Sequence, residues 1–235
     1  MPFNLEEFGL KKDNLYEIIA TTYSYSITED KKQIKPNASC MGIRLIEENQ
    51  IQISPFFGTT TYQNLKEHST IAINLIDNVY IYALAALKEQ DSPIVLKEFP
   101  TEYYKFKYID SRAMDVPYIK SAWGILIGEV SRESQKVKHD DLGEMVIPVF
   151  ILNIILAEKI KESYKLFNRA ENLALETVIW ATKLKIAKEN KDNNSINKFH
   201  KKILDNMENI GRFGKNTAAL KTIELVSNYI SSLIR

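Results

Sequence analysis

Cysteine occurs once in this sequence of 235 residues, at Cys40. A single thiol excludes an intrachain disulfide and a cysteine-rich zinc site. Histidine is almost as rare: His68, His139 and His200 are scattered without metal-ligand spacing. An excess of one charge sign is missing as well. Lys and Arg number 31 against 30 Asp and Glu, so the net charge of +1 draws the whole molecule toward neither nucleic acid, membrane nor acidic substrates. Long hydrophobic runs are also absent. The longest, Met145 to Ala157, is interrupted by Pro148 and Asn153, falls far short of a membrane span and reads as a buried strand. The first turns carry Glu6, Glu7, Lys11, Lys12 and Asp13, too polar for the core of a signal peptide. These absences predict a soluble, cytoplasmic protein without membrane association, and the lone cysteine fits a reducing compartment.

What is present is ordinary for a globular chain: 45% hydrophobic and 26% charged residues. The length allows one large domain or two smaller ones. Two periodicities divide it. Leu15 to Tyr23 is rich in β-branched and aromatic residues, Asn37 to Ile46 is extended, and Ile51-Gln52-Ile53-Ser54 alternates strictly. Thr70 to Leu75, Ala122 to Val130 and Met145 to Leu156 are further strands. Asp30 to Pro36 reads as a loop or hairpin connection, and Lys88 to Asp115 as loop holding one strand at Tyr103–Tyr108. Ser131 to Gly143 reads as a charged loop. Val79 to Leu87 is a short helix capped by Asn78. Six or more strands with few helices predict a barrel or sandwich.

From about Ser163 the spacing becomes helical. Asn168 is the expected N-cap of a first helix that carries Leu173, Thr177, Trp180, Ala181, Leu184 and Ala187. Asn190 to Ser195 breaks it. Ile196, Phe199, Ile203, Met207 and Ile210 mark a second, amphipathic helix, which Gly211 and Gly214 are expected to stop. Asn216 or Thr217 caps a third, with Ile223, Val226, Ile230 and Leu233 on one face. The expected division is a β domain over residues 1–160 and a three-helix unit over 161–235.

Chemistry concentrates at Phe57-Gly58-Thr59-Thr60-Thr61-Tyr62-Gln63-Asn64-Leu65, where a strand-like run ends at a glycine and a helical segment follows. Backbone N–H groups, the hydroxyls of Thr59, Thr60 and Thr61, the amide of Asn64 and the positive end of a helix dipole meet there, a donor set that suits phosphate. The other reading is a hydroxyl-rich turn that caps a helix. Upstream, Asn37-Ala38-Ser39-Cys40-Met41-Gly42 offers small residues, Ser39, Cys40 and Gly42 among them, that let a flat ring approach; it reads equally as a plain edge of a sheet. Asn74, within Ile71-Ala72-Ile73-Asn74-Leu75, serves either a sugar-like hydroxyl or a structural backbone group.

Four stretches resemble the domain of unknown function 447 family, within the FMN-binding split-barrel flavoproteins: Tyr16–Thr22, Asn37–Gly42, Phe57–Leu65, and Phe167-Asn168-Arg169-Ala170 followed by Glu176 and Ala181-Thr182-Lys183-Leu184. The resemblance implies an α+β protein, mainly an antiparallel split β-barrel followed by a C-terminal three-helix unit. It further implies a homodimer with FMN near the subunit interface. Carried over, Asn37, Ser39, Cys40 and Gly42 would line the ring, and Gly58, Thr59, Thr60, Thr61 and Asn64 would hold the phosphate; with FMN bound, the hydroxyl that Asn74 could serve is one of the ribityl chain. Ser39 and Cys40 stand where the family pattern has Ala-Pro, and Lys183 where it has Arg. The corner also lacks the adjacent Lys or Arg that many split-barrel flavoproteins place beside the phosphate.

The function expected is FMN binding in a flavin-dependent oxidoreductase with a small-molecule substrate, with no general acid or base assigned. A second expectation is a non-catalytic binding protein on the same barrel. A third is nucleic-acid binding through Lys183, Lys185, Lys188, Lys191, Lys198, Lys201 and Lys202, although lysine-rich helix faces are usually only solvated. Arg169 either reaches an anionic ligand or fastens helix to barrel. Trp123 and Trp180 are expected in the core or an interface.

Overall fold

The strand-forming half closes on itself. In the computed structural model, which describes residues 3–28, 31–89, 93–140, 143–163, 169–213 and 217–234, six strands form a closed antiparallel barrel. They are β1 (Leu15–Thr28), β2 (Lys31–Glu47), β3 (Gln50–Ile53), β4 (Thr70–Leu75), β7 (Gly124–Asp140) and β8 (Gly143–Lys159), in the order β1-β2-β3-β8-β7-β4. β4 returns to β1 through the pairs Ile19–Asn74, Ala20–Ile73 and Thr21–Ala72, which shuts the barrel and leaves no edge. Strand alternation turns Ile18, Ala20, Ile43, Leu45, Ile51, Ile53, Ile71, Ile73, Phe150 and Leu152 into one core. Each fully buried Ile or Leu side chain of that set contributes about 1.5–3 kcal/mol.

Outside the barrel, β5 (Tyr104–Ile109) and β6 (Met114–Ile119) form a separate hairpin with Phe106 opposite Pro117. Its Ile109 and Val116 pack on Ala72 and Ile127 of the barrel wall. Only the first of these strands is expected from sequence. Pro117 and Asp115 disguise the second, because proline within a run argues against a strand unless it lies outside a central ladder. Two other expectations are corrected. Residues 31–36 are strand, paired from Lys31–Thr28 to Pro36–Tyr23. Ser131 to Asp140 continues β7 instead of forming a loop. Residues 131–137 are exposed on both faces, so no apolar alternation marks them as strand.

Helix α1 (Thr60–His68) leaves β3 by a short turn and lies against β1, β2 and β4, adding Leu65 and Tyr62 to the barrel core. The chain divides into two compact units: the barrel with its hairpin (the chain up to Asp77, Pro100–Lys138 and Met145–Ser163), and a helical unit (Asn78–Phe99, His139–Glu144 and the residues after Ser163). The helical unit holds α2 (Val79–Ala86), α3 (Arg169–Glu189), α4 (Asn193–Phe213) and α5 (Thr217–Ile234). Asn78 caps α2 as expected, its Oδ1 accepting from the Tyr80 N–H at 3.0 Å. Ala83 and Leu87 join Val178, Ala181, Leu184, Phe199, Ile203, Val226 and Tyr229 in one core. Helix α4 runs through Gly211 to Phe213, so Gly211 does not stop it. Asn168, Gly214 and Asn216 lie outside the described residues.

Among the described residues no helix is long and apolar enough to cross a membrane, and no group of His, Cys, Asp and Glu could hold a metal ion.

Candidate functional site

The corner before α1 is built by one backbone inversion and one cap. Gly58 takes φ +75°, the left-handed region that L side chains avoid, and swings the chain from β3 toward the helix. Thr59 is the N-cap: its Oγ1 accepts from the Tyr62 N–H at 3.3 Å and donates to the Phe56 carbonyl at 2.8 Å. The first turn then satisfies the N–H of Gln63 on the Thr59 carbonyl at 3.0 Å. Helix geometry leaves the N–H groups of Thr60 and Thr61 without an intrahelical acceptor, at the positive end of the dipole. Gly58, Thr59 and Thr60 are exposed.

The third threonine behaves differently. Thr61 is only 3% exposed and turns its hydroxyl toward β2, where Ser39 Oγ lies at 2.7 Å and Asn37 Nδ2 donates at 3.1 Å. One turn on, Asn64 Nδ2 donates to Thr22 Oγ1 at 3.0 Å in a buried bond. Asn37 Nδ2 also lies 3.5 Å from that oxygen. A polar layer of Thr22, Asn37, Ser39, Thr61 and Asn64 thus fastens α1 onto β1 and β2. Of the residues expected at the phosphate, Gly58, Thr59 and Thr60 face outward, while Thr61 and Asn64 face the protein. Helical spacing carries this distinction: with Thr59 as cap, Thr61, Asn64 and Leu65 fall on one face, and all three are buried.

The β2 segment also splits. Asn37 and Ser39 share the face of Met41 and Ile43, against α1 and the core. Cys40 and Gly42 share the opposite, partly exposed face. A Cβ at Gly42 would come within 2.8 Å of Leu15 Cδ1, so the glycine accommodates that side chain's close approach. Asn74 is fully buried. Its Nδ2 donates to the Ile19 carbonyl at 2.8 Å, to Thr21 Oγ1 at 3.0 Å and to the Ala72 carbonyl at 3.2 Å, and its Oδ1 accepts from the Ile119 N–H at 2.7 Å. Its amide therefore serves backbone groups, the structural of its two readings.

Sequence reasoning missed Thr22, whose signal was its position opposite Asn37 in the β1–β2 ladder. It also missed Lys138. That residue, on β7, holds its ammonium 5.2 Å from the ring centroid of Phe56 and brings a cation near a corner that has none adjacent in sequence. Lys66 of α1 pairs with Glu133 of β7 at 2.6 Å, which raises the lysine's pKa. Phe56 and Phe57, just ahead of Gly58, are both exposed. His68, at the far end of α1, stacks on Tyr23 with centroids 5.0 Å apart. Burial, with the neighbouring Tyr25, raises the Tyr23 phenol to about 12 and keeps it neutral near physiological pH.

The basic helices are tied into their own unit. Lys183 and Lys202 lie over Trp180, Lys198 lies over Phe199, Lys185 pairs with Glu89 at 2.6 Å, and Lys188 donates to the Leu233 carbonyl. Trp180 stacks on Phe199, and Trp123 on Phe8 beside the barrel core.

A closed antiparallel barrel with a helix packed across it and a helical unit after it is a split barrel of the flavoprotein type. The chain belongs to the family described as protein of unknown function (DUF447), whose N-terminal-domain model matches residues 16–140. An FMN-bound DUF447 protein from Methanosarcina mazei is similar over 96% of this chain and 99% of that one, at 18% identity and TM-score 0.65. More distant are a flavin reductase, HpaC, complexed with NADP+ (13% identity, 68% of this chain and 88% of that one, TM-score 0.43) and a flavoredoxin from Methanosarcina acetivorans (13% identity, 65% and 72%, TM-score 0.43). No curated protein matches the chain.

Proposed function

We propose that this protein binds FMN at the α1 corner, works as a homodimer, and is a flavin-dependent oxidoreductase acting on a small substrate. The observation that carries the reading is the outward-facing Gly58-Thr59-Thr60 corner, held from behind by buried polar residues. It fits a phosphate: the exposed Thr60 hydroxyl and two N–H groups free of helix acceptors lie together at a helix start, shaped by Thr59, whose own hydroxyl proton goes to the Phe56 carbonyl. The FMN-bound relative of the same family supports the choice of flavin over other phosphorylated ligands.

Bound FMN supplies hydride and single-electron chemistry. The chain's own residues bind and orient. The Thr60 hydroxyl and the first N–H groups of α1 take the phosphate, Thr59 holds the turn as its cap, and Lys138 adds positive charge within the reach of a flexible side chain. The partly exposed outer face of β2 at Cys40, flanked by Leu15 over Gly42, gives a surface on which a planar ring can rest. The exposed rings of Phe56 and Phe57 favour a partner subunit beside the corner, which would exclude water from that side. A cytoplasmic setting suits a single cysteine outside any disulfide.

The test is titration of the purified protein with FMN, read by flavin absorbance and fluorescence, with light scattering for assembly. Saturable binding at micromolar FMN and a dimer mass are expected. Reduction of the bound flavin by a nicotinamide donor then separates an oxidoreductase from a binding protein. Absence of flavin binding after reconstitution overturns the proposal.

A further inference from the structure

Three threonines in a row look like three equivalent phosphate donors, yet their hydroxyls do not share one direction. Successive helical residues turn by roughly 100°, so a corner that presents Thr59 and Thr60 to solvent must aim the next residue elsewhere. Thr61 is 3% exposed and its hydroxyl is occupied by Ser39 at 2.7 Å and Asn37 at 3.1 Å. A hydroxyl has one proton to give and two lone pairs. Here either Thr61 or Ser39 gives the proton of the shorter contact, and Asn37 takes one lone pair of Thr61. Turning that hydroxyl outward would take the partner at 2.7 Å from Ser39 and leave the part-buried Asn37 amide only its longer contact to Thr22, a loss that an exposed contact does not offset.

Resting on the FMN reading, we infer that the Thr61 side chain is a positioning group and its hydroxyl not a phosphate ligand. The Ser39–Thr61 bridge fixes the first turn of α1 against β2, and thereby sets where Thr59, Thr60 and the free N–H groups point. It also joins the strand proposed to carry the ring to the turn proposed to carry the phosphate.

The two roles predict opposite results for Ser39→Ala. If Thr61 were a phosphate ligand, removal of Ser39 would release its hydroxyl and leave FMN affinity unchanged or tighter. If Thr61 positions the corner, Ser39→Ala and Thr61→Val each weaken FMN by about three- to tenfold, and the double variant weakens it no further than Thr61→Val alone. Thr61→Ser, which keeps the hydroxyl, restores wild-type affinity. Riboflavin, which has the ring and lacks the phosphate, serves as control: its affinity stays constant in all these variants, whereas general loosening of the barrel weakens both flavins together. Unchanged FMN affinity in Ser39→Ala, or parallel loss of FMN and riboflavin, overturns the inference. A wild-type chain that binds riboflavin but not FMN overturns it too, because the corner then holds no phosphate. Binding of neither flavin by the wild type is a separate outcome, which removes the functional reading together with what rests on it.

Discussion

The Oδ1 of Asn74 accepts the backbone N–H of Ile119 at 2.7 Å, joining barrel strand β4 to hairpin strand β6. The same side chain donates to the Ile19 carbonyl and to Thr21, and Thr21 Oγ1 donates in turn to the Pro117 carbonyl at 2.6 Å. One buried amide therefore fastens the β5–β6 hairpin to the barrel wall where β4 closes on β1. Asn74→Ala strands the Ile119 N–H and the Ile19 carbonyl side of this arrangement, and each buried group left unsatisfied costs about 1–3 kcal/mol. Urea unfolding should show a loss of at least about 2 kcal/mol, with FMN affinity of the folded fraction unchanged. Full stability with weakened flavin binding would return Asn74 to a ligand role.

Gly58 makes a sharper prediction because strain is its only constraint. Its φ is +75°, and a Cβ added there meets nothing within 4 Å. Gly58→Ala therefore meets no steric clash with neighbours, and its whole effect is the left-handed backbone penalty of about 1–2 kcal/mol. Asparagine tolerates that region better than alanine does. Thermal unfolding should rank the wild type above Gly58→Asn and Gly58→Asn above Gly58→Ala. Equal midpoints for all three proteins would show that the turn relaxes to another conformation.

Much of the barrel is legible in the sequence, because its strands carry apolar alternation against a single core. β4 is expected and found at Thr70–Leu75, and the strict alternation of Ile51 to Ser54 marks β3. The outer half of β7 is illegible for the converse reason: residues 131–137 have no buried face, and only the ladder makes them strand. At the site, Gly58 and the hydroxyl run locate the corner by local chemistry. The inward turn of Thr61 and Asn64 follows from knowing that Thr59 is the cap, since a shift of one residue would rotate a different threonine toward Ser39. Lys138 is brought to Phe56 by the path of β7, a long-range fact that no local pattern contains.

The junction of α3 and α4 stores strain that a single substitution can release. Lys191 has φ +55°, its N–H donates to the Lys188 carbonyl at 3.0 Å, and the Asp192 N–H donates to the Ala187 carbonyl at 3.0 Å. This is the paired hydrogen-bond pattern of a helix end closed by a left-handed residue, where glycine is the usual occupant. Lys191→Gly should raise stability by about 1 kcal/mol by removing the Cβ penalty, an unusual gain for a change to glycine. Urea midpoints measure it. A loss of stability would mean that the greater freedom of glycine in the unfolded chain outweighs the relief.

Asp192 follows at once and caps α4, its Oδ1 accepting from the N–H groups of Asn194 and Ser195, each at 3.1 Å. Hydrogen bonding to Ser195, through side chain and backbone, lowers its pKa below the ordinary 3.8, with the Asn194 N–H adding to the effect. A carboxyl held low in the folded state stabilises that state fully above its unfolded value. The contribution disappears as pH falls from 3.8 through the lowered folded value, because the protonated acid caps less well. Asn is a good cap that does not titrate, so Asp192→Asn retains the bonds and loses this pH dependence. Thermal midpoints followed from neutral pH to below 3.8 should fall faster for the wild type than for Asp192→Asn, the two curves parting only at the acid end. Both proteins share every other titrating group, so the difference between the curves isolates the cap. Parallel curves over the whole range would mean that the Asp192 carboxylate contributes nothing to holding α4 in place.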